Sequence, residues 1–337
     1  MQDAKDNTNK LFAKHQRVLG EQLHVFLNTL HPLLRNDVIR SFGEAGKLLA
    51  HDGPVNGDAP AGMWALLPCL VAQHLAPEYN VQVAYTIGLA IECFLCALDL
   101  LDDVEDEDQT AIIKEIGTAR ALNVSTTLLA LTNTMLLSLA EIHVPFERVT
   151  ALLKAVQTAL LTATAGQHRD ILAEQRSAES FTAEECIEIA EGKAGALMGL
   201  ACSIGALGVN ASNELCSQYA ELGRLLGIAQ QLDNDSHDLY HILQYQQTGE
   251  IAGAKKTDLL RHKKTLPIVL AAHAMATLQV SPSTTDKEKQ SIAALQESIL
   301  ATWGISLLYR ERAHEQLRQI EAHHPVSPAL RLLLGFA

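Results

Sequence analysis

Apolar residues recur at three- and four-residue spacing along nearly the whole chain, and runs of Val, Ile, Tyr and Phe at strand spacing are rare. That period admits one fold class, all-α. It predicts helices over about 8–31, 34–50, 60–76, 81–106, 115–142, 146–175, 182–208, 211–243, 265–278, 288–301 and 303–322. The expected breaks fall where Gly, Pro and small polar residues gather: Asp52–Pro60, Pro77, Pro145, Asn210, Thr248–Gly253 and Ser281–Thr285. Thr182 and Glu185 have the spacing of a capping box. No solenoid-period repeat, low-complexity tract or dividing linker interrupts the 337 residues. A single domain over 1–337 is expected, a large helical bundle around a central cavity.

Composition narrows the function. Hydrophobic residues make up 48% and aromatics 4%, with Ala and Leu dominant, which is enough apolar area for one core. The formal charge is −13 and no basic stripe occurs, so a nucleic-acid partner is not expected. Cys69, Cys93, Cys96, Cys186, Cys202 and Cys216 all lie in apolar helical stretches. They read as reduced core residues in a reducing cytosol, and the lone Cys93-x-x-Cys96 has no second pair to make a zinc site. The first ten residues, MQDAKDNTNK, carry no apolar core of a signal peptide. No uninterrupted apolar run reaches the roughly 18 residues of a bilayer-crossing helix, the nearest being Ala194–Val209. A cytoplasmic protein that is not transmembrane is the expectation.

Two acidic segments stand out against this background, each at the end of an apolar helix. The first is Asp99-Leu100-Leu101-Asp102-Asp103-Val104-Glu105-Asp106, in which Asp102 and Asp106 share a helix face with Asp103 beside them. The second is Gln231-Leu232-Asp233-Asn234-Asp235-Ser236-His237-Asp238, where Asn234 and Asp238 are again four apart. Converging carboxylates at the end of a buried helix repel one another unless a cation neutralises them. A few hard oxygen ligands suit Mg²⁺, which keeps several waters and completes its shell with substrate phosphates. The second segment taken alone could equally be a solvated helix end; the first is denser and favours that reading less. Together they suggest metals shared with a diphosphate.

With these motifs the chain resembles the trans-isoprenyl diphosphate synthase (polyprenyl synthetase) family. Asp102-Asp103-x-x-Asp106 is similar to its first acidic motif, and Gln231-x-x-Asn234-Asp235-x-x-Asp238 to its second, with Asn in the first acidic place. Gly166-Gln167-x-x-Asp170 resembles its G-Q-x-x-D helix. Lys193-Ala194-Gly195-Ala196-Leu197 resembles its lysine segment, and Thr257-Asp258-Leu259 with Lys263-x-Thr265-Leu266-Pro267 its T-D-L and K-x-T-L-P run. The ordered matches span about 81–275. The resemblance implies a homodimeric enzyme of the isoprenoid synthase fold that binds an allylic prenyl diphosphate. It implies Mg²⁺ on Asp102, Asp106, Asn234, Asp235 and Asp238, with Asp103 and Gln231 in the catalytic site. It also implies that Lys193 and Lys263 contact the diphosphate, Lys256 more weakly, with Gln167 and Asp170 beside them. Lysines there make chemical sense, because they stabilise charge on a leaving diphosphate; each by itself could be an ordinary surface residue.

The departures from the family are coherent. Members that elongate with isopentenyl diphosphate carry G-G-K-x-x-R-P near the N-terminus, His or Gln seven residues before the first motif, and R-R-G after it. This chain has Gly57–Trp64 without Lys or Arg, Leu95, and Glu107-Asp108-Gln109-Thr110-Ala111. Those missing groups would neutralise a second diphosphate. The pattern resembles the ComQ type, which prenylates a peptide tryptophan, so the expected reaction transfers a prenyl group to a peptide or small-molecule acceptor other than isopentenyl diphosphate. Three alternatives stay open: a class I terpene synthase that cyclises or quenches its cation, an ordinary elongating synthase, and a non-catalytic member of the scaffold.

Overall fold

A computed structural model describes residues 2–44, 46–50, 60–248, 263–277 and 284–336. Every regular element among them is helical. In chain order these are α1 (Gln2–Leu27), α2 (Pro32–Phe42), α3 (Met63–Leu75), α4 (Val81–Glu105), α5 (Ala111–Ile116), α6 (Thr118–Ser138), α7 (Phe146–Ala173), α8 (Ala183–Ala190), α9 (Ala196–Gly208), α10 (Asn213–Thr248), α11 (Leu266–Thr277), α12 (Thr284–Glu321) and α13 (Pro328–Leu333). Short 3₁₀ turns follow α6 and precede α8, and a π-helical turn, Glu191–Gly195, joins α8 to α9. The predicted all-α class and most helix positions hold.

The differences have local causes. The helix expected over 34–50 stops at Phe42, with Gly43 as its cap. The one expected over 115–142 is split by Gly117, whose φ of 78° breaks the right-handed path between α5 and α6. In the other direction, α12 runs unbroken through Thr302 and Gly304, where helices over 288–301 and 303–322 were expected to part at 302. A single helical Gly costs only about 1 kcal/mol, and the Thr302 hydroxyl, bonded to the Ser298 carbonyl at 2.8 Å, stays inside the helix. The Thr182–Glu185 capping box forms as its spacing predicts.

Among the described residues, four helical stretches, Val81–Glu105, Thr118–Ile142, Phe146–Ala173 and Gln290–Glu321, are long and apolar enough by length and composition to cross a bilayer. None of them is an uninterrupted apolar run, because polar residues punctuate each one, Glu92 in the first and Thr, Gln or Lys in the others, without making the helix polar. In the first, 83% of the apolar window is buried inside the protein.

The chain divides into two compact units. The first collects 1–157, 200–220 and 317–337, the second 158–199 and 221–316. The first unit is built on α4, which is apolar on every side and buried from Val83 to Ala97. Its neighbour α6 is stitched to it by small polar side chains: Ser125 donates to the Ala97 carbonyl at 2.8 Å and Thr132 to the Ala90 carbonyl at 3.2 Å. On another side His15 of α1 meets the Tyr85 hydroxyl at 2.9 Å. In the second unit, Ala173, Phe181, Cys186, Ile189, Ile228, Leu232, Leu266 and Val269 form the core that binds α8, α10 and α11. Five of the six cysteines are buried free thiols and Cys216 is half-buried.

Candidate active site

In the first unit the acidic segment closes α4. Asp102 and Asp103 are half-buried, and Asp106 and Asp108 are buried. Beyond Glu105 the chain turns back: the Asp106 amide donates to the Asp102 carbonyl and the Asp108 amide to the Asp103 carbonyl, both at 2.8 Å, with Glu107 in a left-handed conformation. The Thr110 hydroxyl donates to an Asp103 carboxylate oxygen at 3.1 Å. The last turn of α4 contains no basic residue. Carboxylates at the negative end of a helix dipole raise the local negative potential further. The donor set therefore fits a divalent cation. Leu95, buried about two turns ahead of Asp102, leaves an apolar wall there.

In the second unit backbone contact builds the site. A Cβ on Gly166 would lie 2.8 Å from the Gly192 carbonyl carbon, so α7 and the π-helical turn can approach this closely only through glycine. Likewise, a Cβ on Gly227 of α10 would overlap the Ala194 carbonyl oxygen. Arg224 of α10 pairs with Glu191 at 3.1 Å and fastens the same turn. A π-turn carries one residue more than an α-turn and often marks a functional position. Here it projects Lys193, whose ammonium meets the Asp170 carboxylate at 2.9 Å with both side chains largely buried.

The α10 stripe that meets this turn runs from Gly223 through Gly227 to Gln231, Asp235 and Asp238, at spacings of three and four. Gln231 donates to Asp235 at 2.8 Å. Asn234 lies to the side of that stripe and is exposed. Asp233 points elsewhere and is taken by Arg310 of α12. Burial first, then the nearby charges of Asp235, Glu185 and Asp170, push the Cys186 thiol up to about 12, which places Asp235 and Asp170 around one core residue. That thiol also donates to the Lys264 carbonyl at 3.2 Å, and the Lys264 ammonium reaches the Glu174 carbonyl at 3.5 Å. Lys263 and Lys264 are both buried. The amide N and O of Gln167 are buried and have no hydrogen-bond partner among the described residues. Such a group is costly to leave unsatisfied and suits a bound polar ligand.

The second unit thus gathers Asp170, Lys193, Gln231, Asp235 and the Lys263 segment. Among the described residues no three His, Cys, Asp or Glu side chains form a ready-made metal cage. Lys256 and Thr257-Asp258-Leu259 lie outside the described residues, as do Gly57, Asp58 and Ala59. Sequence reasoning missed two features. Lys47, from the turn after α2, pairs with Asp99 of α4, and fully buried Glu92 accepts from the amides of Leu48 and Ala65 at 2.9 and 3.1 Å. Burial pushes the Glu92 carboxyl up, against the pull of Lys47 and the two amides. A buried Glu in an apolar helix was the available signal. The other is an aromatic group in which Trp303 packs on His237 and Tyr240, with ring centroids 5.5 and 5.9 Å apart.

Comparison with known proteins adds the following. Residues 63–300 match the model of the polyprenyl synthetase family. The chain is 34% identical to tryptophan prenyltransferase ComQ of Bacillus spizizenii over 174 residues, 51% of this chain and 56% of that one. It is 29% identical to (2E,6E)-farnesyl diphosphate synthase of Mycobacterium bovis over 219 residues, 64% of this chain and 57% of that one. The matches thus span little more than half the length of these relatives. In three dimensions the chain resembles a polyprenyl synthetase from Streptomyces coelicolor A3(2), with a TM-score of 0.74, 23% identity and coverage of 98% and 99% of the two chains. A geranylgeranyl pyrophosphate synthetase from Geoglobus acetivorans gives a TM-score of 0.71 at 20% identity, covering 97% and 96%. These likenesses carry the fold.

Proposed function

The chain belongs to the polyprenyl synthetase family, and on that footing we propose that it is a Mg²⁺-dependent prenyltransferase that ionises an allylic prenyl diphosphate and passes the prenyl group to an acceptor other than isopentenyl diphosphate. The observation that carries this reading is the Lys193–Asp170 pair on the π-turn, set beside the stripe of Gln231, Asp235 and Asp238. Asp102, Asp103 and Asp106, and separately Asn234, Asp235 and Asp238, are the residues that would hold Mg²⁺. When bound, the metal neutralises charge on the departing diphosphate. Lys193 and Lys263, in the second unit, would add ammonium groups for a diphosphate, with Lys256 as a further contact. Asp170 orients the Lys193 ammonium. Gln167 offers its unsatisfied amide to the ligand.

The acceptor reading rests on Leu95 and on the absence of Lys or Arg at 57–64 and 107–111. Similarity to a tryptophan prenyltransferase supports a peptide indole as its chemistry. Exposed Leu122, Leu137, Ile142 and Phe146 in the first unit suit a subunit interface, and we propose a homodimer. The remaining parts of the proposal are one catalytic domain over 1–337 and a cytoplasmic location without a membrane span.

One experiment tests the reaction. Purified protein is incubated with C10 to C20 allylic diphosphates and Mg²⁺, alone, with labelled isopentenyl diphosphate, or with tryptophan-containing peptides, and the products are weighed by mass spectrometry. The expected outcome is diphosphate release, no labelled longer chain, and a prenylated peptide. A labelled longer prenyl diphosphate would restore ordinary elongation. A cyclic hydrocarbon without acceptor would make it a terpene synthase, and no diphosphate release under any condition would end the enzymatic reading.

A further inference from the structure

A buried cation sits close to the first acidic segment and is already spent. The Lys47 side chain is 12% exposed and pairs with Asp99, whose own side chain is 57% exposed. Burial opposes the charge on Lys47, but the carboxylates of Asp99 and Glu92 outweigh it and hold the ammonium protonated. Glu92, Cys96, Asp99 and Asp103 follow one another along a single stripe of α4 at spacings of four, three and four. Lys47 therefore lies against the stripe that leads into the acidic segment, one turn ahead of Asp102. It is also held there. The Glu92 carboxylate takes the amide next to Lys47, that of Leu48, and the Ala65 amide at the start of α3.

An anion entering beside a row of carboxylates needs a cation to offset its desolvation and their repulsion. Lys47 has the charge and the place for that task. Asp99 cancels it and turns a half-exposed carboxylate outward instead. We propose that Asp99 is a specificity-determining residue: by neutralising Lys47 it denies a second diphosphate group a counterion next to the first acidic segment, which leaves the acceptor place to an uncharged molecule. The identity of the excluded substrate rests on the function proposed above; the exclusion itself does not.

The test therefore omits both metal and allylic substrate. Inorganic diphosphate is titrated calorimetrically into the full chain in excess EDTA, using wild type, Lys47→Met, Asp99→Asn and the double variant, with thermal melts to confirm folding. Wild type and Lys47→Met should be indistinguishable in affinity, because any binding in either then belongs to the other lysines and not to Lys47. Asp99→Asn should bind at least about tenfold tighter than wild type, a change of about 1.4 kcal/mol, and the double variant should lose that gain. Three results would overturn the proposal: no gain in Asp99→Asn, a gain that survives Lys47→Met, or wild-type binding that Lys47→Met abolishes. The last comparison decides even if Asp99→Asn fails to fold. A wild-type chain that never releases diphosphate would defeat the proposed function and leave this result standing.

Discussion

The Lys193 ammonium and the Asp170 carboxylate, 23 residues apart in sequence, meet at 2.9 Å in the second unit. The pair holds a cation ready, each partner offsetting part of the other's cost of burial. Lys193→Ala should lower the rate of diphosphate release by about 10²–10³, the usual loss for one stabilising donor. Asp170→Asn should cost less and act mainly on KM. Steady-state release of diphosphate from farnesyl diphosphate measures both, and equal effects on KM alone from the two variants would place Lys193 in binding and not in catalysis.

Asp102→Ala and Asp106→Ala should each cut turnover about a thousandfold or more, since a metal's charge stabilisation is worth several kcal/mol. Their folds should persist, which circular dichroism can check. Near wild-type release from either would remove the first acidic segment from the mechanism.

On α10, Asn234→Asp should be tolerated, because position 234 is exposed and to the side of the stripe. Asp235→Ala should not be, since it also strips Gln231 of its 2.8 Å acceptor. Asp238→Ala should behave like Asp235→Ala. Activity across a Mg²⁺ titration is the readout: full activity in both alanine variants would reassign the segment.

Gly227→Ala should be disproportionately harmful for a single methyl. The new Cβ overlaps the Ala194 carbonyl oxygen, so α10 and the Lys193 turn must separate. Overpacking of this kind costs about 1–3 kcal/mol. A lowered Tm together with a raised KM is expected, and an unchanged pair of values would show that the turn does not depend on this contact.

Acidification should weaken the first unit. Burial, and then Lys14, lower the pKa of His15 below its usual value; burial also lowers that of His74. For a histidine lowered in the folded state, the unfolded chain takes up its proton first. Stability is therefore complete above about pH 6.5 and declines as pH falls from there through the lowered folded values. Thermal melts between pH 8 and 5 should show this, with a shallower slope in His15→Gln. A slope identical to wild type would clear His15.

How much of this was legible beforehand differs by residue. The helical period gave α4, α7 and α10 nearly whole, because their stripes are long. It could not place Gly117 as a break or carry α12 through Thr302, since a residue's conformation at such a point depends on what surrounds it. The acidic residues, Gln167, Asp170 and Lys193 carried family spacing and were readable from it. The Lys47–Asp99 pair was not, because its 52-residue separation leaves no pattern in sequence. Neither was the π-turn, since its extra residue is visible only as a slip in burial.

That slip has a consequence of its own. The buried stripe of α8, Cys186, Ile189 and Ala190, would continue in an unbroken α-helix to 193 and 197; instead Met198 is buried and Leu197 is half-exposed. Glu191–Gly195 works as a phase-shifter, advancing everything downstream by one position, about 100° of rotation in an α-helix. Insertions and deletions at this spot are therefore not equivalent to substitutions. Removing one residue would regularise the rod, make it locally more stable, and swing Lys193 away from Asp170 while every side chain named in the site was still present.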